Sequence, residues 1–193
     1  MHTHSSNGNR RAGRSRSLRW CCEDDAEAML AIINAAAEAY RGAIPQDCWH
    51  EPYMSAADLQ SEIAAGVTFI GCEVDGVIAG VMGIQPARNV DLIRHAYVRP
   101  EYQGGGVGSA LIAHLRAQKV RQFLVGTWTA ATWAIAFYER HGFQLVPEAA
   151  KELLLRTYWM ISRRQIETSV VLAAPHLTSE AVGRLVEQAG AGR

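Results

Sequence analysis

The residue types that most clearly suggest chemistry lie in one stretch, QGGGVGSAL, residues 103–111. Three consecutive glycines, and a fourth after one intervening residue, follow a strand-like segment and precede a helix-forming one. Such a junction directs several free backbone N–H groups and the positive end of the helix dipole towards one point. This arrangement attracts a phosphate group, although a simple reversal of the chain would also use glycines.

Two common phosphate-binding patterns do not account for this stretch. A Walker A loop requires a lysine after its last glycine, and no lysine follows Gly108. The dinucleotide fingerprint requires a glycine or alanine three residues after Gly106, where this chain has Ser109. The first interpretation is excluded and the second is weak.

A third pattern fits both this loop and a segment downstream. Residues 103–108 match the Gln/Arg-x-x-Gly-x-Gly/Ala signature of the acetyl-CoA-dependent N-acetyltransferase superfamily called GNAT, and they follow YVRPEY, as in that family. TWAIAFYERHGFQLV, which begins at Thr132, resembles the family's AxxFYExxGF helix and strand. The resemblance covers residues 18–172 and implies an α/β fold of GNAT type, with a mixed, largely antiparallel central sheet flanked by helices. AYRGAIP, WHEPYM and LIRHAYVR are similar to a bacterial-type branch without an assigned substrate.

The resemblance implies acetyl-CoA as co-substrate and no metal. It places the coenzyme diphosphate on backbone amides of the glycine loop and the pantetheine arm beside the preceding strand, like an added strand. The residues assigned to the coenzyme in this way are Ala96, Tyr97, Val98, Gln103, Gly104, Gly105, Gly106, Val107, Gly108 and Ser109. A Cβ at Gly106 or Gly108 would hold the diphosphate away from these N–H groups.

The resemblance also supplies a catalytic acid. Acetyl transfer to an amine needs an unprotonated amine, a polarised thioester carbonyl and an acid that protonates the departing thiolate. Tyr138 stands where the family places that acid. A tyrosine hydroxyl, with an ordinary pKa of about 10, is neutral at pH 7 and can donate to sulfur. The alternative is that Tyr138 only packs beside Phe137.

The base that accepts the amine proton is less determined. Several family members carry a glutamate on the strand before the loop, where this chain has Leu92. Strand alternation predicts that Asp91, Ile93, His95 and Tyr97 share one face, and His95 has the chemistry to collect a proton near neutrality. His95 is therefore the first candidate base, unless it has only a structural role.

The loop over residues 41–54 offers rival bases and a candidate acceptor pocket. Trp49, His50 and Glu51 lie where the family commonly shapes its substrate site, and His50 or Glu51 could replace His95 as the base. A chain of water molecules without a dedicated base is a further possibility. Trp49 and Tyr53 could equally form a hydrophobic plug.

A second departure from the family concerns the helix that carries Tyr138. The family often has asparagine where this chain has Ala131. Thr129 or Thr132 could supply the missing hydrogen bond to the coenzyme, and we assign Thr132 to the coenzyme site. Without such a replacement, coenzyme A affinity would fall, because a buried unpaired partner costs about 1 to 3 kcal/mol.

The elements that must position these residues follow from periodicity and turn chemistry. VTFIGCEV and VIAGVMGI flank Asp75-Gly76, a pair that accepts the positive φ angles of a two-residue hairpin turn. Asp24 with Glu27 and Ser55 with Asp58 have capping-box spacing, which predicts one helix as far as about Tyr40 and a second after Ser55. Further strands are predicted over 18–22, 91–98, 123–129, 143–146 and 164–172, and helices over 109–118 and 132–142. This order predicts a mixed α/β layer.

The chain length of 193 residues suits one domain with flanking segments. Residues 1–17 are polar and lack large apolar residues, so we expect a disordered basic tail. Residues 18–172 are the predicted acetyltransferase domain. Residues 173–193 are expected to be a C-terminal appendage with a short helix over 178–188.

The amino-acid composition limits the classes of binding partner that we expect. Lysine plus arginine and aspartate plus glutamate each number 19, which gives no reason to expect a nucleic-acid or membrane partner. No apolar run is long enough to cross a bilayer and no secretory signal is evident, so we expect a soluble, cytoplasmic protein. The four cysteines lack metal-like CxxC pairing. The predicted partner is a small-molecule or peptide amine, and the long terminal strand could pair across a homodimer.

Three function classes are compatible with these observations. The first is an N-acetyltransferase in which an amine attacks the thioester of acetyl-CoA directly. The second is a non-catalytic coenzyme A-binding module that acts as a sensor or protein-interaction domain, which Ala131 and Leu92 would favour. The third, nucleic-acid binding through the arginines of residues 1–17, predicts salt-sensitive affinity that disappears with the tail.

Overall fold

The computed structural model describes residues 15–118 and 121–191. Within them the strands are β1 (Arg16–Trp20), β2 (Thr68–Val74), β3 (Val77–Ala87), β4 (Val90–Val98), β5 (Gln122–Trp128), β6 (Gln144–Leu145) and β7 (Ser169–Ala174). They form one seven-stranded sheet in the order β1-β2-β3-β4-β5-β7-β6. Neighbouring strands are antiparallel except for β4 and β5, which are parallel. The predicted mixed, largely antiparallel sheet is confirmed.

Helices cover both faces of this sheet. They are α1 (Ala26–Ala37), α2 (Ala56–Ala64), α3 (Val107–Gln118), α4 (Thr132–Arg140), α5 (Glu148–Tyr158), α6 (Arg163–Thr168) and α7 (Ser179–Ala191). On one face, α3 and α4 pack on strand residues such as Ile93 and Val125. On the other face, one apolar cluster includes α1 and α2 and a second includes α5 and α7. Burial of these apolar surfaces stabilises the fold.

The β2–β3 hairpin forms as its turn sequence predicts. Asp75 has φ 52° and Gly76 has φ 83°, and Val74 pairs with Val77 across the two-residue turn. Both central residues therefore adopt the left-handed region that this turn type requires. The hairpin prediction is confirmed.

The feature that opens the sheet is the divergence of β4 from β5. The two strands pair only from Val90 with Gln122 to Ile93 with Val125. On its other side, β4 stays paired with β3 as far as Val98, with a register shift opposite residues 81–83. His95 lies at this irregularity with φ 48°, as expected for a β-bulge residue. The C-terminal half of β4 is thus unpaired on the side that faces β5.

The start of the fold differs from the prediction. The first strand begins at Arg16, which pairs with Val74, so the sheet starts two residues before the expected boundary at residue 18. Residues 1–14 of the predicted tail lie outside the described residues. The predicted capping box of Asp24 and Glu27 is wrong. The Asp25 carboxylate instead accepts the Cys22 N–H at 2.8 Å, so the capping position is Cys22, two residues earlier than predicted.

The C-terminal third contains two corrections. Residues 148–158 form α5, which the periodicity analysis did not predict, although Ala150, Leu154 and Leu155 bury one side of it. Residues 164–168 were assigned to the last strand and instead belong to α6, Arg163–Thr168. The reason is a capping box, in which the Ser162 hydroxyl accepts the Gln165 N–H at 3.2 Å and the Gln165 side chain accepts the Ser162 N–H at 2.9 Å.

The segment expected to be an appendage contributes to the core. Ala173 and Ala174 are buried in β7, and α7 buries Val182 and Ala189 in the cluster that includes α5. The helix extends over Ser179–Ala191 rather than 178–188. β7 pairs with β5 on one side and, at Leu172 and Ala173, with β6 on the other. At these two residues it therefore has no free edge to which a homodimer partner could add a strand.

None of the helices in the described part of the chain is long and apolar enough to cross a membrane.

Candidate active site

The glycine loop connects β4 to α3 through a tight turn. Gly104 has φ 73° and Gly106 has φ 81°, values that side-chain-bearing residues rarely adopt. The N–H groups of Gln103 and Gly105 donate within the turn, to the carbonyls of Pro100 and Tyr102, both at 3.2 Å. These two amides therefore do not join the cradle that the sequence predicted over residues 103–109.

The remaining amides of the loop precede the helical hydrogen-bond ladder. Ala110 is the first residue of α3 whose N–H bonds back to the loop, to Gly106 O at 3.0 Å. The amides of Val107, Gly108 and Ser109 thus belong to the first turn, where a helix has no internal acceptors. Together with the helix dipole, they form a site that suits an anion.

The loop is also held from behind and from the side. The Arg16 guanidinium, on β1, donates to the carbonyl of Gly105 and lies 3.5 Å from that of Gly106. A Cβ at Gly108 would come within 3.1 Å of the Phe137 ring. Gly108 is therefore required for the close approach of α3 and α4, in addition to any contact with a diphosphate.

An apolar cavity of about 200 Å³ leads from the glycine loop towards the centre of the sheet. Gln103 and Gly108 line its end at the loop, and Ala96, Tyr97 and Val98 line it along β4. Its remaining walls come from α1 and the helical turn after it, β3, α3 and α4, at Ala36, Ala39, Tyr40, Val81, Met82, Leu111, Trp133, Ala134, Phe137 and Tyr138. The cavity follows the unpaired edge of β4.

A second cavity of about 210 Å³ lies where β4 and β5 diverge. We call it the aromatic cavity, because Tyr40, Tyr53, Tyr97, Trp128, Tyr138 and Trp159 are among its lining residues. Arg94, His95, Thr127, Gln165 and Ser169 supply polar groups. Four residues line both cavities, namely Tyr40, Ala96, Tyr97 and Tyr138. The two spaces therefore meet at these four side chains.

Tyr138 is buried at this meeting point, with 6% of its surface exposed. Its ring packs edge-on against Phe137 and Phe143, with centroids 5.2 and 5.6 Å apart. Burial raises the pKa of the Tyr138 hydroxyl far above its ordinary value, and the nearby Tyr40 adds to this rise. The hydroxyl is therefore neutral near pH 7 and is available as a hydrogen-bond donor.

Three further tyrosines surround the junction. The Tyr97 hydroxyl donates to the Tyr53 hydroxyl at 3.1 Å, and Tyr40 packs edge-on against Tyr97 at 6.1 Å. Burial raises the pKa of Tyr40 to about 12 and raises those of Tyr53 and Tyr97 as well. Trp133, 44% exposed, packs against Tyr40 at the outer side of the apolar cavity.

His95 lies in a different setting from the one predicted. The bulge interrupts strand alternation, so Ile93 packs on the side of α3 whereas Tyr97 packs on the side of α1 and α2. The His95 ring stacks on Phe69 with centroids 6.0 Å apart, and its Nε2 lies 3.2 Å from Glu62 Oε2. The predicted common face of Asp91, Ile93, His95 and Tyr97 is therefore wrong.

Glu62 is a residue that the sequence did not single out. Its Oε1 lies 2.8 Å from Arg94 Nη2. Burial would raise the pKa of Glu62, but the contact with His95 and the charge of Arg94 outweigh it and lower that pKa. The spacing along α2 marks Glu62 only as a helical surface residue, so tertiary contact alone reveals its link to His95.

The three residues assigned to substrate binding in the loop lie outside the lining of both cavities. Glu51 forms an exposed ion pair with Arg41 at 2.7 Å, which lowers the pKa of the carboxyl. The Trp49 indole donates to Glu51 at 3.3 Å, and His50 is exposed. Tyr53, which packs 5.6 Å from the Trp49 ring, is the loop residue that reaches the aromatic cavity.

The start of α4 lacks a capping side chain. Ala131 occupies the N-cap position and is fully buried, with no side-chain hydrogen bond to the helix. Thr129 and Thr132 are exposed, and Thr132 lines neither cavity. The structure thus gives no direct support to Thr132 as a replacement for the family's asparagine.

Comparisons with known proteins agree with this architecture. The family model described as Acetyltransferase (GNAT) domain matches residues 65–145, which run from the end of α2 to β6. No curated protein matches the chain in sequence.

Solved structures share the fold over most of the chain. The PaiA N-acetyltransferase of Thermoplasma acidophilum, solved with coenzyme A, is 16% identical with a TM-score of 0.63, over 82% of this chain and 98% of that one. A GNAT-family acetyltransferase of Staphylococcus aureus Mu50 is 15% identical with a TM-score of 0.61, over 82% and 98%. The ribosomal-protein-S18-alanine N-acetyltransferase of Escherichia coli is 18% identical with a TM-score of 0.57, over 82% and 92%. Residues 65–145 therefore match the GNAT acetyltransferase domain, and the chain as described has the fold of solved GNAT acetyltransferases.

Proposed function

We propose that the chain is an acetyl-CoA-dependent N-acetyltransferase in which a primary amine attacks the thioester directly. The observation that carries this proposal is the meeting of two cavities at the buried Tyr138. One cavity begins at the glycine loop, and the other is separately lined by aromatic and polar residues. Two reactants can therefore approach one another from opposite sides of a single hydroxyl.

The residues present suit coenzyme A. The first-turn amides of Val107, Gly108 and Ser109 would hold the diphosphate, and the unpaired edge of β4 at residues 96–98 would pair with the pantetheine arm. The Gln103 side chain already donates to Val98 O at 3.1 Å, which ties the loop to that edge. Bound acetyl-CoA supplies the acetyl group as an activated thioester.

Tyr138 would act on the sulfur that leaves. As the amine nitrogen bonds to the acetyl carbon, the carbon–sulfur bond breaks and negative charge develops on sulfur. The neutral Tyr138 hydroxyl donates a hydrogen bond to this charge and protonates the thiolate, so that free thiol is released, and the tyrosinate then regains a proton equivalent to the one removed from the amine. Burial raises the pKa of Tyr138, so the hydroxyl keeps its proton in the neutral pH range until the sulfur leaves.

We assign removal of the amine proton to His95. It is the histidine among the described residues that line the aromatic cavity, whereas His50 is exposed outside it. Glu62 Oε2 lies 3.2 Å from His95 Nε2, and Glu62 is itself paired with Arg94, so a carboxylate stands beside the imidazole. A histidine next to a carboxylate is suited to general base catalysis, because the negative charge stabilises the imidazolium that forms.

The lining of the aromatic cavity favours one class of acceptor. No aspartate or glutamate belongs to its described lining, and Arg94 is already paired with Glu62 and with Gln85 at 2.8 Å. A substrate with a second ammonium group would find no carboxylate there to compensate its charge. We therefore propose a monoamine on a flat apolar group, whose ring would pack against Trp128 and Trp159.

Two measurements test the function. Acetyl-CoA should raise the melting temperature, because a ligand of the native state stabilises it by mass action. The absence of a shift at about millimolar acetyl-CoA would remove the loop assignment. Release of free thiol should then be measured with 2-phenylethylamine, putrescine, amino acids, aminoglycosides and peptides, and kcat/KM should be highest for the aromatic monoamine.

The same two measurements distinguish an acetyltransferase from a non-catalytic coenzyme A-binding module. A sensor or interaction domain would bind coenzyme A and release no thiol with any amine. Preference for putrescine over 2-phenylethylamine would contradict the acceptor class while leaving the acetyltransferase assignment in place.

A further inference from the structure

A pair of side chains beside the glycine loop has no role in the mechanism above. His141 follows the last residue of α4, and its Nε2 lies 3.0 Å from the Oγ of Ser109 in the first turn of α3. Its Nδ1 lies 2.8 Å from the carbonyl oxygen of Phe137. The imidazole thus bridges the end of α4 to the proposed diphosphate site.

The Phe137 carbonyl decides which ring nitrogen carries a proton. A carbonyl oxygen only accepts, so His141 Nδ1 must be the donor. Phe137 O lies in the last turn of α4, where the helix leaves carbonyls unpaired. The next backbone N–H groups bond elsewhere, those of His141 and Phe143 to Tyr138 O and that of Gly142 to Glu139 O. A neutral His141 therefore has an unprotonated Nε2, which accepts from the Ser109 hydroxyl.

This arrangement directs the one hydroxyl proton of Ser109 away from an anion. If His141 gains a second proton, its Nε2–H donates to Ser109 Oγ instead. The Ser109 hydroxyl then keeps its own proton free to donate to a phosphate oxygen, in a chain of bonds that begins at a positive charge. The two states of the pair differ by one proton and by the direction of one hydrogen bond.

We propose that His141 is a positioning residue for the coenzyme, and that binding of the diphosphate at the glycine loop draws one proton onto its imidazole. This inference rests on the proposed function, because it requires the diphosphate at that loop. Among the described residues, the charged groups near this corner are Arg116, whose guanidinium donates to His141 O from α3, and Arg16, whose guanidinium donates to Gly105 O from β1. Guanidinium groups stay protonated at all relevant pH values, so neither can account for the uptake.

The test is calorimetric titration of the full chain with dephospho-coenzyme A. This probe keeps the diphosphate but lacks the 3′-phosphate, a monoester that itself titrates near pH 6. Titrations at about pH 7.5 in buffers of different ionisation enthalpy give the number of protons taken up. We expect uptake approaching about one proton per site, and affinity that falls about tenfold as the pH rises from about 6 to about 8.

Variants separate this coupling from a merely structural contact. His141→Gln and Ser109→Ala should abolish the proton uptake and flatten the pH dependence of affinity. Ser109→Thr keeps a hydroxyl and should retain both the proton uptake and the pH dependence of affinity. His176→Gln removes an exposed histidine far along the chain and should bind dephospho-coenzyme A with the same proton uptake as the parent.

The outcomes are distinguishable. Binding without proton uptake, or with equal uptake in His141→Gln, overturns the role of His141 and leaves the proposed function intact. Failure of the parent protein to bind either dephospho-coenzyme A or acetyl-CoA overturns the proposed function, and this inference with it.

Discussion

Tyr138 and His95, the two side chains that the sequence assigned to catalysis, lie in contrasting surroundings. Helical periodicity places Tyr138 one turn after Ala134, and both are buried on the same side of α4. The sequence alone could therefore predict that Tyr138 is buried on this side of α4, where the two cavities meet. His95 lies at a bulge with φ 48°, stacked on Phe69, and no periodicity foresees a residue inserted into a strand.

The role of Tyr138 can be tested with a single-atom change. Tyr138→Phe removes the donor to the departing sulfur and should lower kcat by about tenfold to a hundredfold. The dissociation constant of acetyl-CoA should change by less than about twofold, since backbone groups bind the coenzyme. Steady-state kinetics and calorimetric titration measure the two quantities.

Tyr158→Phe is the matched control. Tyr158 is also buried and donates to Asn89 Oδ1 at 2.8 Å, but it lines neither cavity. This variant should lose stability and retain kcat. Unchanged turnover in Tyr138→Phe would remove the hydroxyl from the mechanism.

At the scale of elements, two segments have the clearest physical requirements. They are the glycine loop and the turn from the end of β1 into α1, residues 19–25, which we call the β1 corner. The loop depends on left-handed backbone at Gly106, where a Cβ would also lie 3.4 Å from Arg16 Nη1. The β1 corner depends on the Asp25 carboxylate, which accepts from Arg19 at 2.7 and 2.9 Å and from the Cys22 N–H. The run of glycines in the sequence predicted the left-handed backbone of the loop. The role of the Asp25 carboxylate was not predicted, because the sequence analysis placed the cap on the adjacent residue, Asp24.

Gly106→Ala tests the loop. Placing alanine at φ 81° should lower the free energy of unfolding by about 1 to 2 kcal/mol and weaken acetyl-CoA binding by about tenfold or more, because the first-turn amides shift. Urea unfolding and calorimetry measure these effects. Gly190→Ala, in α7 with open space around it, should instead raise stability. Equal coenzyme affinity in both variants would contradict the loop assignment.

Asp25→Asn tests the β1 corner through its pH dependence. The hydrogen bonds from Arg19, followed by that from the Cys22 N–H, hold the pKa of Asp25 well below its usual range. The carboxylate therefore contributes stability that is complete above its ordinary pKa of about 4 and is lost as the pH falls towards the folded-state pKa. We expect Asp25→Asn to cost about 1 to 2 kcal/mol at pH 7 and progressively less below about pH 4.

Urea unfolding at about pH 7 and pH 3 measures that difference. Asp24→Asn changes the exposed neighbouring carboxyl and should have little effect at either pH. A larger effect at Asp24 than at Asp25 would support the capping box that the sequence predicted and contradict the observed one.

At the scale of the whole molecule, the C-terminal helix closes the core on one face of the sheet. Val182 is fully buried in the apolar cluster that contains Leu154 and Leu155 of α5 and Leu124 of β5. Hydrophobic contact thus joins residues of β5 and α7, which lie far apart in the sequence. The sequence showed α7 only as a short helix, because an amphipathic pattern does not reveal which surface it will cover.

Val182→Ala tests whether α7 unfolds with the rest of the fold. The lost methyl groups and the resulting cavity should lower the free energy of unfolding by about 1 to 2.5 kcal/mol, in one cooperative transition. Glu187→Ala, on the exposed side of the same helix, should stay within about 0.5 kcal/mol of the parent. A separate early transition for α7 would restore the appendage interpretation.

Local physics explains what the sequence determined alone. Turn chemistry at Asp75-Gly76, left-handed backbone at Gly104 and Gly106 and apolar periodicity in α3 and α4 depend on near neighbours in the chain, so they led directly to the sheet, the glycine loop and the resemblance to GNAT proteins. Tertiary structure alone decided the bulge at His95, the contact of Glu62 with it and the bridge from His141 to Ser109. Each of these joins residues from separate elements, and their contact depends on strand register and helix packing that no local pattern encodes.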